Sequence, residues 1–304
     1  VTFDDFQMSA RNTDLSLDGA VVLNGERLRF DNLDVEAAPF ALARLDPWLS
    51  KPLPLPGSVE GTATLDGTLE ELRASGRVTL LRPGPGEDPI TADFGGTVHL
   101  ADGFGFTDLR ATLDPFDFGV LETFVAEARV QGEGRVTLEA TGRASDSIRF
   151  TARISHRPAG LPASELDVQG SVQEQRGSWA VDIRADAQPL SLTALAHDYP
   201  SLPLTGEVSG SFSVNGPLSE LSLETDLSTE GGHLGLGARF DATNPGAHYA
   251  IQGQVTDFAL SRVVTAVPAP TVISGIIDVE GRGTDYGSLT LDARARLRPS
   301  RVGQ

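Results

Sequence analysis

The side chains that could do chemistry in this sequence are scattered, and none forms a catalytic arrangement. The five histidines stand at positions 99, 156, 197, 233 and 248, without the spacing of an HExxH zinc motif. No cysteine is present, which removes thiolate nucleophiles, thiolate metal ligands and disulfides. No Gly-x-Ser-x-Gly nucleophile elbow occurs. We therefore predict a protein that is not an enzyme and that uses neither a metal nor a cofactor.

Two further features could suggest ligand chemistry, and each has a plainer interpretation. The segment Gly231–Gly237 is rich in glycine, but no Lys-Ser or Lys-Thr pair follows it, so we interpret it as a connection between strands. The formal net charge of −18 argues against nucleic acid and against docking flat on anionic lipid headgroups. The acidic residues fall mostly at outward strand positions or in turns, as is ordinary for a solvated surface.

Period-two alternation of apolar and polar residues dominates the chain. This pattern is typical of antiparallel strands with one dry face and one wet face. Four strands of roughly ten residues fit between successive breaks in the alternation, for example 57–68, 71–81, 90–101 and 104–113. We predict a mainly β fold: an elongated, curled antiparallel β-sheet, or β-groove, of repeated four- to five-strand units, each with a short amphipathic helix at the rim.

A glycine-punctuated segment recurs and sets the period of the predicted repeat. Its copies begin at Gly57, Gly132, Gly206 and Ile273, and their closing glycines are separated by 75, 74 and 65 residues. Self-similarity at a fixed period indicates one unit copied several times. We predict one elongated repeat body over 1–304. It is divided into a partial repeat 1–50 that ends in a helix, repeats 51–126, 127–199 and 200–267, and a partial repeat 268–304.

Four segments break the alternation and are predicted to be the rim helices. They are 40–49, 116–125, 192–199 and 260–267, with apolar residues at helical spacing. Pro39, Pro115 and Pro189 precede three of them, as is common at a helix start. Because an even number of antiparallel strands separates the helices, we expect all four at the same rim. Their candidate apolar residues are Leu42, Leu45, Trp48, Val120, Phe124, Leu192, Leu195, Leu260, Val263 and Val264.

The dry face of such a sheet needs a cover that four short helices cannot supply. It must close on itself or hold something apolar. The candidate lining residues of the resulting groove are Val59, Ala63, Leu65, Leu69, Val208, Phe212, Val214, Leu218, Ile273, Ile277 and Val279. Glycines in the same register either permit bending and bulges or keep the groove open. These groove-opening candidates are Gly61, Gly67, Gly210, Gly216, Gly275 and Gly281.

Three features recur in a fixed order: a short helix, the motif Leu-Pro-Leu-x-Gly-x-Val-x-Gly, and an apolar alternation that ends in Gly-x-Leu-x-x-Leu. This order resembles the TamB and AsmA-like proteins of Gram-negative envelopes. Residues 53–72 and 202–221 carry the likeness best. The resemblance implies a long β-groove with an apolar inner wall, anchored in the inner membrane and crossing the periplasm. It also implies phospholipid transfer to the outer membrane. The family's units are described as five strands plus a crossing segment, whereas four strands are clear here.

We therefore expect a groove segment that conducts the acyl chains of phospholipids, located in the periplasm, with the inner-membrane anchor outside these residues. The alternative is a structural or chaperone-like module that assists assembly or secretion of outer-membrane β-barrel proteins and binds a barrel partner. A third possibility, a β-solenoid adhesin, ranks last because its repeats would be nearer twenty residues. No apolar run is long enough for a spanning helix, and the start shows no signal peptide, so we expect an internal fragment.

Overall fold

The computed structural model describes most of the chain. The described residues are 1–10, 13–24, 27–44, 55–84, 88–100, 104–123, 129–175, 178–200, 202–229, 232–244, 246, 248–267, 271–283, 290–298 and 301–302. The chain divides into two compact units, Val1–Ala159 (unit 1) and Gly160–Gln304 (unit 2). Their boundary falls inside the predicted repeat 127–199, so the two units do not coincide with the repeat boundaries. Each unit is described below by itself.

Unit 1 is an antiparallel sheet whose strands follow each other in chain order. Each strand from β1 to β8 pairs with the next one along the chain. The strands are β1 (Thr2–Ala10), β2 (Thr13–Asn24), β3 (Arg27–Ala41), β4 (Ser58–Thr68), β5 (Leu72–Leu81), β6 (Ile90–His99), β7 (Gly105–Asp117), β8 (Glu133–Arg143) and β9 (Ser147–Arg157).

Unit 2 has the same antiparallel, sequential order. Each strand from β10 to β16 pairs with the next, and β18 also pairs with the first residues of β16. The strands are β10 (Ser164–Gln175), β11 (Ser178–Ser191), β12 (Glu207–Pro217), β13 (Leu221–Thr229), β14 (Gly232–Phe240), β15 (His248–Ala259), β16 (Thr271–Arg282), β17 (Thr290–Leu297) and β18 (Arg301–Val302). The prediction of a mainly antiparallel β fold is confirmed.

Each sheet is open in the part of the chain that the structure describes, because no pairing joins the first strand of a unit to its last. Four strands separate successive helical segments among those residues. Because that number is even, the helical segments of one unit lie at the same rim of its sheet. We call this the helical rim, and we call the opposite rim the turn rim because it carries hairpin turns such as β4–β5.

The predicted rim helices are not evident as a repeated α-helical element. The described residues contain one α-helix, α1 (Leu192–Asp198), whose N-cap Ser191 side chain accepts a hydrogen bond from the Ala194 N–H at 3.1 Å. The other helical segments are short 3₁₀ helices: Leu42–Arg44 and Leu260–Arg262 of three residues each, and Phe118–Thr123 of six. Leu45, Trp48 and Phe124 lie outside the described residues.

The prolines thought to start helices belong to strands instead. Pro39, Pro115 and Pro189 lie inside β3, β7 and β11, each where the pairing register shifts by a β-bulge. A bulge leaves a residue unpaired, and proline has no N–H to give to the ladder, so these positions accept it without losing a hydrogen bond. The interpretation of these three prolines as helix-start signals was wrong.

Among the described residues, none of the helical segments has the length and apolar character needed to cross a membrane.

Candidate functional site

One face of the unit 1 sheet is apolar from the first strand to the last. Residues opposite each other on neighbouring strands point to the same face, so the register can be followed across the sheet. One row crosses all nine strands: Met8, Leu15, Ala37, Gly61, Val78, Ala92, Leu113, Val136 and Ile154. The next row is Phe6, Leu17, Val35, Ala63, Gly76, Phe94, Ala111, Leu138 and Ala152.

A further row near the turn rim completes this surface. It runs through Val21, Phe30, Gly67, Leu72, Val98, Phe106, Gly142 and Ile148. Between the rows lie Leu33, Leu65, Ala74, Leu109, Ala140 and Phe150. We call all of these residues the apolar face of unit 1. None of its members has a polar side chain.

Unit 2 carries an equivalent apolar face. Its first row is Gly170, Ile183, Val214, Leu223, Ala238, Ile251, Val279 and Ala293. Its second row is Val168, Ala185, Phe212, Thr225, Leu236, Gly253, Ile277 and Ala295. Its third row is Leu166, Ala187, Gly210, Leu227, Leu234, Val255, Gly275 and Leu297.

Thr225 is the single polar side chain in these three rows of unit 2. It lies between Phe212 and Leu236, and its hydroxyl is buried without a hydrogen-bond partner among the described residues. A buried hydroxyl without a partner destabilises the folded state. The rows otherwise offer a ligand only apolar contact.

Most strand residues predicted to line a groove belong to these faces, while Val59, Val208 and Ile273 continue the same register towards the helical rim. Most are only half-buried. Val208 is 5% exposed. The half-buried members are Val59, Ala63, Leu65, Phe212, Val214, Ile273, Ile277 and Val279. Leu69 and Leu218 differ, because they lie in the turns after β4 and β12 and so do not belong to a cross-strand row.

The predicted glycines lie on the apolar side of the sheets in the expected register, and the backbone explains Gly61 and Gly210. Gly61 has φ +131°, and an added Cβ would clash with the Arg77 carbonyl oxygen of β5. Gly210 has φ +143°, and its Cβ would clash with the Asp226 carbonyl oxygen of β13. A positive φ and the close approach of the next strand both require glycine. Of the two roles considered for these glycines, the backbone role is supported, whereas groove opening stays a prediction.

The helical rim of unit 2 is closed by packed side chains. Val255, Phe258 and Val263 are 3%, 4% and 5% exposed and form one cluster. The candidate rim residues Leu192, Leu260 and Val264 pack against this cluster. The carbonyl oxygen of Leu195, a further candidate, accepts a hydrogen bond from the Tyr199 N–H at 2.9 Å within α1. Val263 and Val264 follow the last 3₁₀ turn and do not extend a helix.

The helical rim of unit 1 combines apolar burial with a buried ion pair. Phe118 and the candidate Val120 are 6% and 4% exposed. The Phe118 ring contacts the His156 ring edge-on at a centroid distance of 4.7 Å. Arg82 forms an ion pair with Asp117, whose carboxylate also accepts a hydrogen bond from the Gly119 N–H at 2.8 Å. Candidate Leu42 begins the other 3₁₀ turn of this rim.

Sequence reasoning missed the ion pair and the roles of two buried histidines. His99 is hydrogen-bonded to the Glu70 carbonyl oxygen at 2.6 Å and to the Thr107 hydroxyl at 2.8 Å. His156 is hydrogen-bonded to the Gln131 carbonyl oxygen at 2.7 Å. The bonds to Glu70 and Gln131 join strand ends to neighbouring loops, and the bond to Thr107 joins β6 to β7, so both histidines have a structural role. No motif or spacing in the sequence marks these partners.

The opposite face of each sheet is polar and solvated. In unit 1 its cross-strand ion pairs include Arg110–Glu139 at 3.4 Å and Arg135–Asp114 at 3.3 Å, with side chains more than half exposed. Such pairs contribute about 0.2–1 kcal/mol each. Nowhere in the described ranges do three or more histidine, aspartate or glutamate side chains come together as metal ligands.

Comparison with known proteins adds no relative. No protein-family model matches the sequence, and neither the curated proteins nor the solved structures gave a match.

Proposed function

We propose that this chain is a groove segment of a TamB/AsmA-like envelope protein and that its apolar faces bind the acyl chains of phospholipids. The observation that carries the proposal is the unbroken row from Met8 to Ile154, which crosses nine strands without a polar side chain. Its members are not buried by other described residues to the extent expected of a core. A half-exposed apolar surface of this extent is characteristic of a binding surface.

The chemistry of the faces suits a lipid tail better than a compact polar ligand. Each methylene group removed from water contributes about 0.8 kcal/mol, and a tail needs no hydrogen-bond partner. A phospholipid headgroup can stay in water while its tails lie on the rows. The proposed mechanism is passive sliding of tails along the apolar face, with the direction of transfer set by other components.

Recurring backbone contacts support the finer proposal of repeated units with a helical segment at the rim. The first residue of three helical segments donates its N–H to the carbonyl oxygen of the glycine before the next strand. These bonds are Leu42 to Gly57 at 3.0 Å, Phe118 to Gly132 at 2.9 Å and Leu192 to Gly206 at 2.9 Å. The glycines have φ values of +134°, +105° and +78°. Such units, joined in series, would form the curled, elongated groove of the proposal.

Cross-strand register recurs with the same period. Val35 opposite Ala63 in β3–β4 corresponds to Ala185 opposite Phe212 in β11–β12, each two pairs from the pair next to the bulge. The bulges of β3, β7, β11 and β15 precede Phe40, Phe116, Leu190 and Phe258. The full-length protein is proposed to lie in the periplasm with an inner-membrane anchor outside these residues.

The test places a charge on either face of the same strand. Val214→Asp and Leu65→Asp put a carboxylate on an apolar face, whereas the matched controls Ser213→Asp and Thr62→Asp put it on the polar face. Phospholipid binding and transfer between vesicles of phosphatidylethanolamine and phosphatidylglycerol are measured for each variant. We expect the first pair to lose at least about tenfold in lipid binding, since a charge opposes tail burial, and the controls to bind normally.

If Val214→Asp and Leu65→Asp transfer lipid at the normal rate while remaining folded, the sliding mechanism is wrong. Thermal unfolding and circular dichroism report whether each variant is folded. This control separates a lost binding face from a lost fold.

A second candidate function is a chaperone-like module for outer-membrane β-barrel strands. The supporting observation is β17, in which every residue is exposed and one strand edge has no pairing within the described residues. Open strand edges pair readily with other strands. Crosslinks from Thr290–Leu297 to a barrel protein, without lipid crosslinks to the apolar faces, would favour this function over lipid transfer.

A further inference from the structure

The two rims of unit 1 differ sharply in how they expose apolar side chains. At the helical rim Phe118 and Val120 are 6% and 4% exposed. At the turn rim Leu23, Leu100 and Phe104 are 70%, 47% and 50% exposed. Apolar side chains are therefore packed at the Phe118–Thr123 segment of the helical rim and open to water at three positions of the turn rim.

The exposed residues at the turn rim extend the apolar face. Leu23 lies two residues beyond Val21 on β2 and so points to the same face. The Phe104 ring packs edge-on against the ring of Phe106, a member of the face, at a centroid distance of 4.8 Å. Leu100 lies just after β6, where its N–H donates to the Leu69 carbonyl oxygen at 2.8 Å. We call Leu23, Leu100 and Phe104 the apolar lip of unit 1.

The helical rim has no comparable opening at the 3₁₀ segment Phe118–Thr123. Phe118 packs over β8 where Gly134 lacks a side chain, since a Cβ on Gly134 would lie 2.8 Å from the Phe118 ring. The buried Arg82–Asp117 ion pair lies at the same end of β7. A hydrated headgroup placed here would have to displace packed aromatic and ionic groups.

We infer that a phospholipid bound to unit 1 projects its headgroup over the turn rim, and that its tails enter the apolar face across the lip Leu23, Leu100 and Phe104. This inference rests on the proposed lipid-binding function and adds an orientation to it. A headgroup must keep its contact with water while the tails leave water. At the lip, apolar side chains that continue the face are exposed to water, so the lip meets both requirements.

The test uses the full chain and two photoreactive phospholipids in phosphatidylethanolamine and phosphatidylglycerol vesicles. One carries a diazirine on the headgroup, and the other carries it within an acyl chain. We expect the tail probe to label strand centres, such as peptides containing Leu65 or Phe94, and the headgroup probe to label peptides that contain Leu23 or Phe104. Mass spectrometry of digested protein locates both labels.

Each outcome bears on a separate claim. Tail labelling at strand centres with headgroup labelling at Phe118–Thr123, or equally at both rims, overturns the orientation and leaves lipid binding intact. Absence of tail labelling from the apolar face overturns the proposed function and the orientation together.

A matched pair of variants tests the lip itself. Leu23→Asp places a charge on the lip, and Val22→Asp places the same charge one residue earlier on the opposite face, where Val22 is 43% exposed. We expect Leu23→Asp to slow loading from vesicles by about tenfold, because tails must cross a charged position. Val22→Asp is expected to load at the normal rate. Equal rates for both variants would overturn the role of the lip.

Discussion

The two faces of each sheet are made by the same strands, yet they follow different rules. On the apolar face the three named cross-strand rows of unit 1 are free of polar side chains, and several glycines sit where the next strand approaches closely. On the polar face, neighbouring residues of the same strands form exposed ion pairs and leave open space at Gly237. Side-chain identity is therefore narrowly restricted on the apolar face and only loosely restricted on the polar face.

The largest expected difference concerns burial at the end of the apolar face. Phe258 is 4% exposed in the cluster with Val255 and Val263, whereas Ile276 on the polar face is 44% exposed. We expect Phe258→Ala to lower the free energy of unfolding by about 3–5 kcal/mol. Ile276→Ala is expected to cost less than about 1 kcal/mol, because little apolar area is buried there. Urea unfolding of both variants measures the difference, and equal losses would contradict it.

Glycines on the two faces provide the next comparison. Gly210→Ala combines φ +143° with a Cβ that clashes with the Asp226 carbonyl oxygen, so we expect a loss of about 2–4 kcal/mol in the free energy of unfolding. Gly237→Ala adds a Cβ with nothing within 4 Å, so we expect no loss or a gain of about 0.4–1 kcal/mol. Denaturant midpoints check both. A stable Gly210→Ala variant would show that this strand approach is not required.

Much of the fold could be predicted from the sequence because alternation reports strand faces directly. The predicted strand 57–68 is observed as Ser58–Thr68, and Val59, Ala63 and Leu65 share the predicted face. The helices were harder to predict from the sequence, because a bulge changes the spacing of apolar residues on one face from two to three. Ala37 and Phe40 are opposite Gly61 and Val59 across such a bulge, and this spacing resembles the start of a helix.

The candidate site could be predicted only in part. Its rows follow from alternation, but the pairing that aligns them across strands depends on turns and bulges that a pattern does not show. The Arg82–Asp117 ion pair joins residues from two strand ends, and nothing in their spacing marks them as partners. Why glycine occupies positions 61 and 210 could be explained only with the structure, since a glycine pattern alone fits both a bent backbone and an open groove.

A smaller effect on the free energy of unfolding is expected at Thr225, the one polar residue in the three rows of unit 2. Thr225 places a buried hydroxyl without a described partner between Phe212 and Leu236. Thr225→Val keeps the shape and removes the polar group, so we expect the free energy of unfolding to rise by about 1 kcal/mol. Thermal and urea unfolding measure the gain. The control is Thr62→Val on the exposed polar face, which should change little, and a loss at Thr225 would mean that its hydroxyl has a partner.

The smallest effect is expected from the ion pairs of the polar face. A double-mutant cycle on Arg110 and Glu139, whose side chains are 77% and 66% exposed, should give a coupling energy below about 1 kcal/mol. The coupling should fall further as salt is added, because exposed charges are screened. A coupling of several kcal/mol that persists in high salt would show that the polar face contributes substantially to stability, which would contradict the difference between the two faces.

The most direct test of the central claim, that the apolar faces bind acyl chains, is lipid extraction and mass spectrometry of the purified chain. We expect bound phospholipid on the native protein and on Ser213→Asp, with strong depletion on Val214→Asp. A folded native protein that is free of phospholipid, after expression in cells and again after incubation with phosphatidylethanolamine and phosphatidylglycerol vesicles, would contradict it.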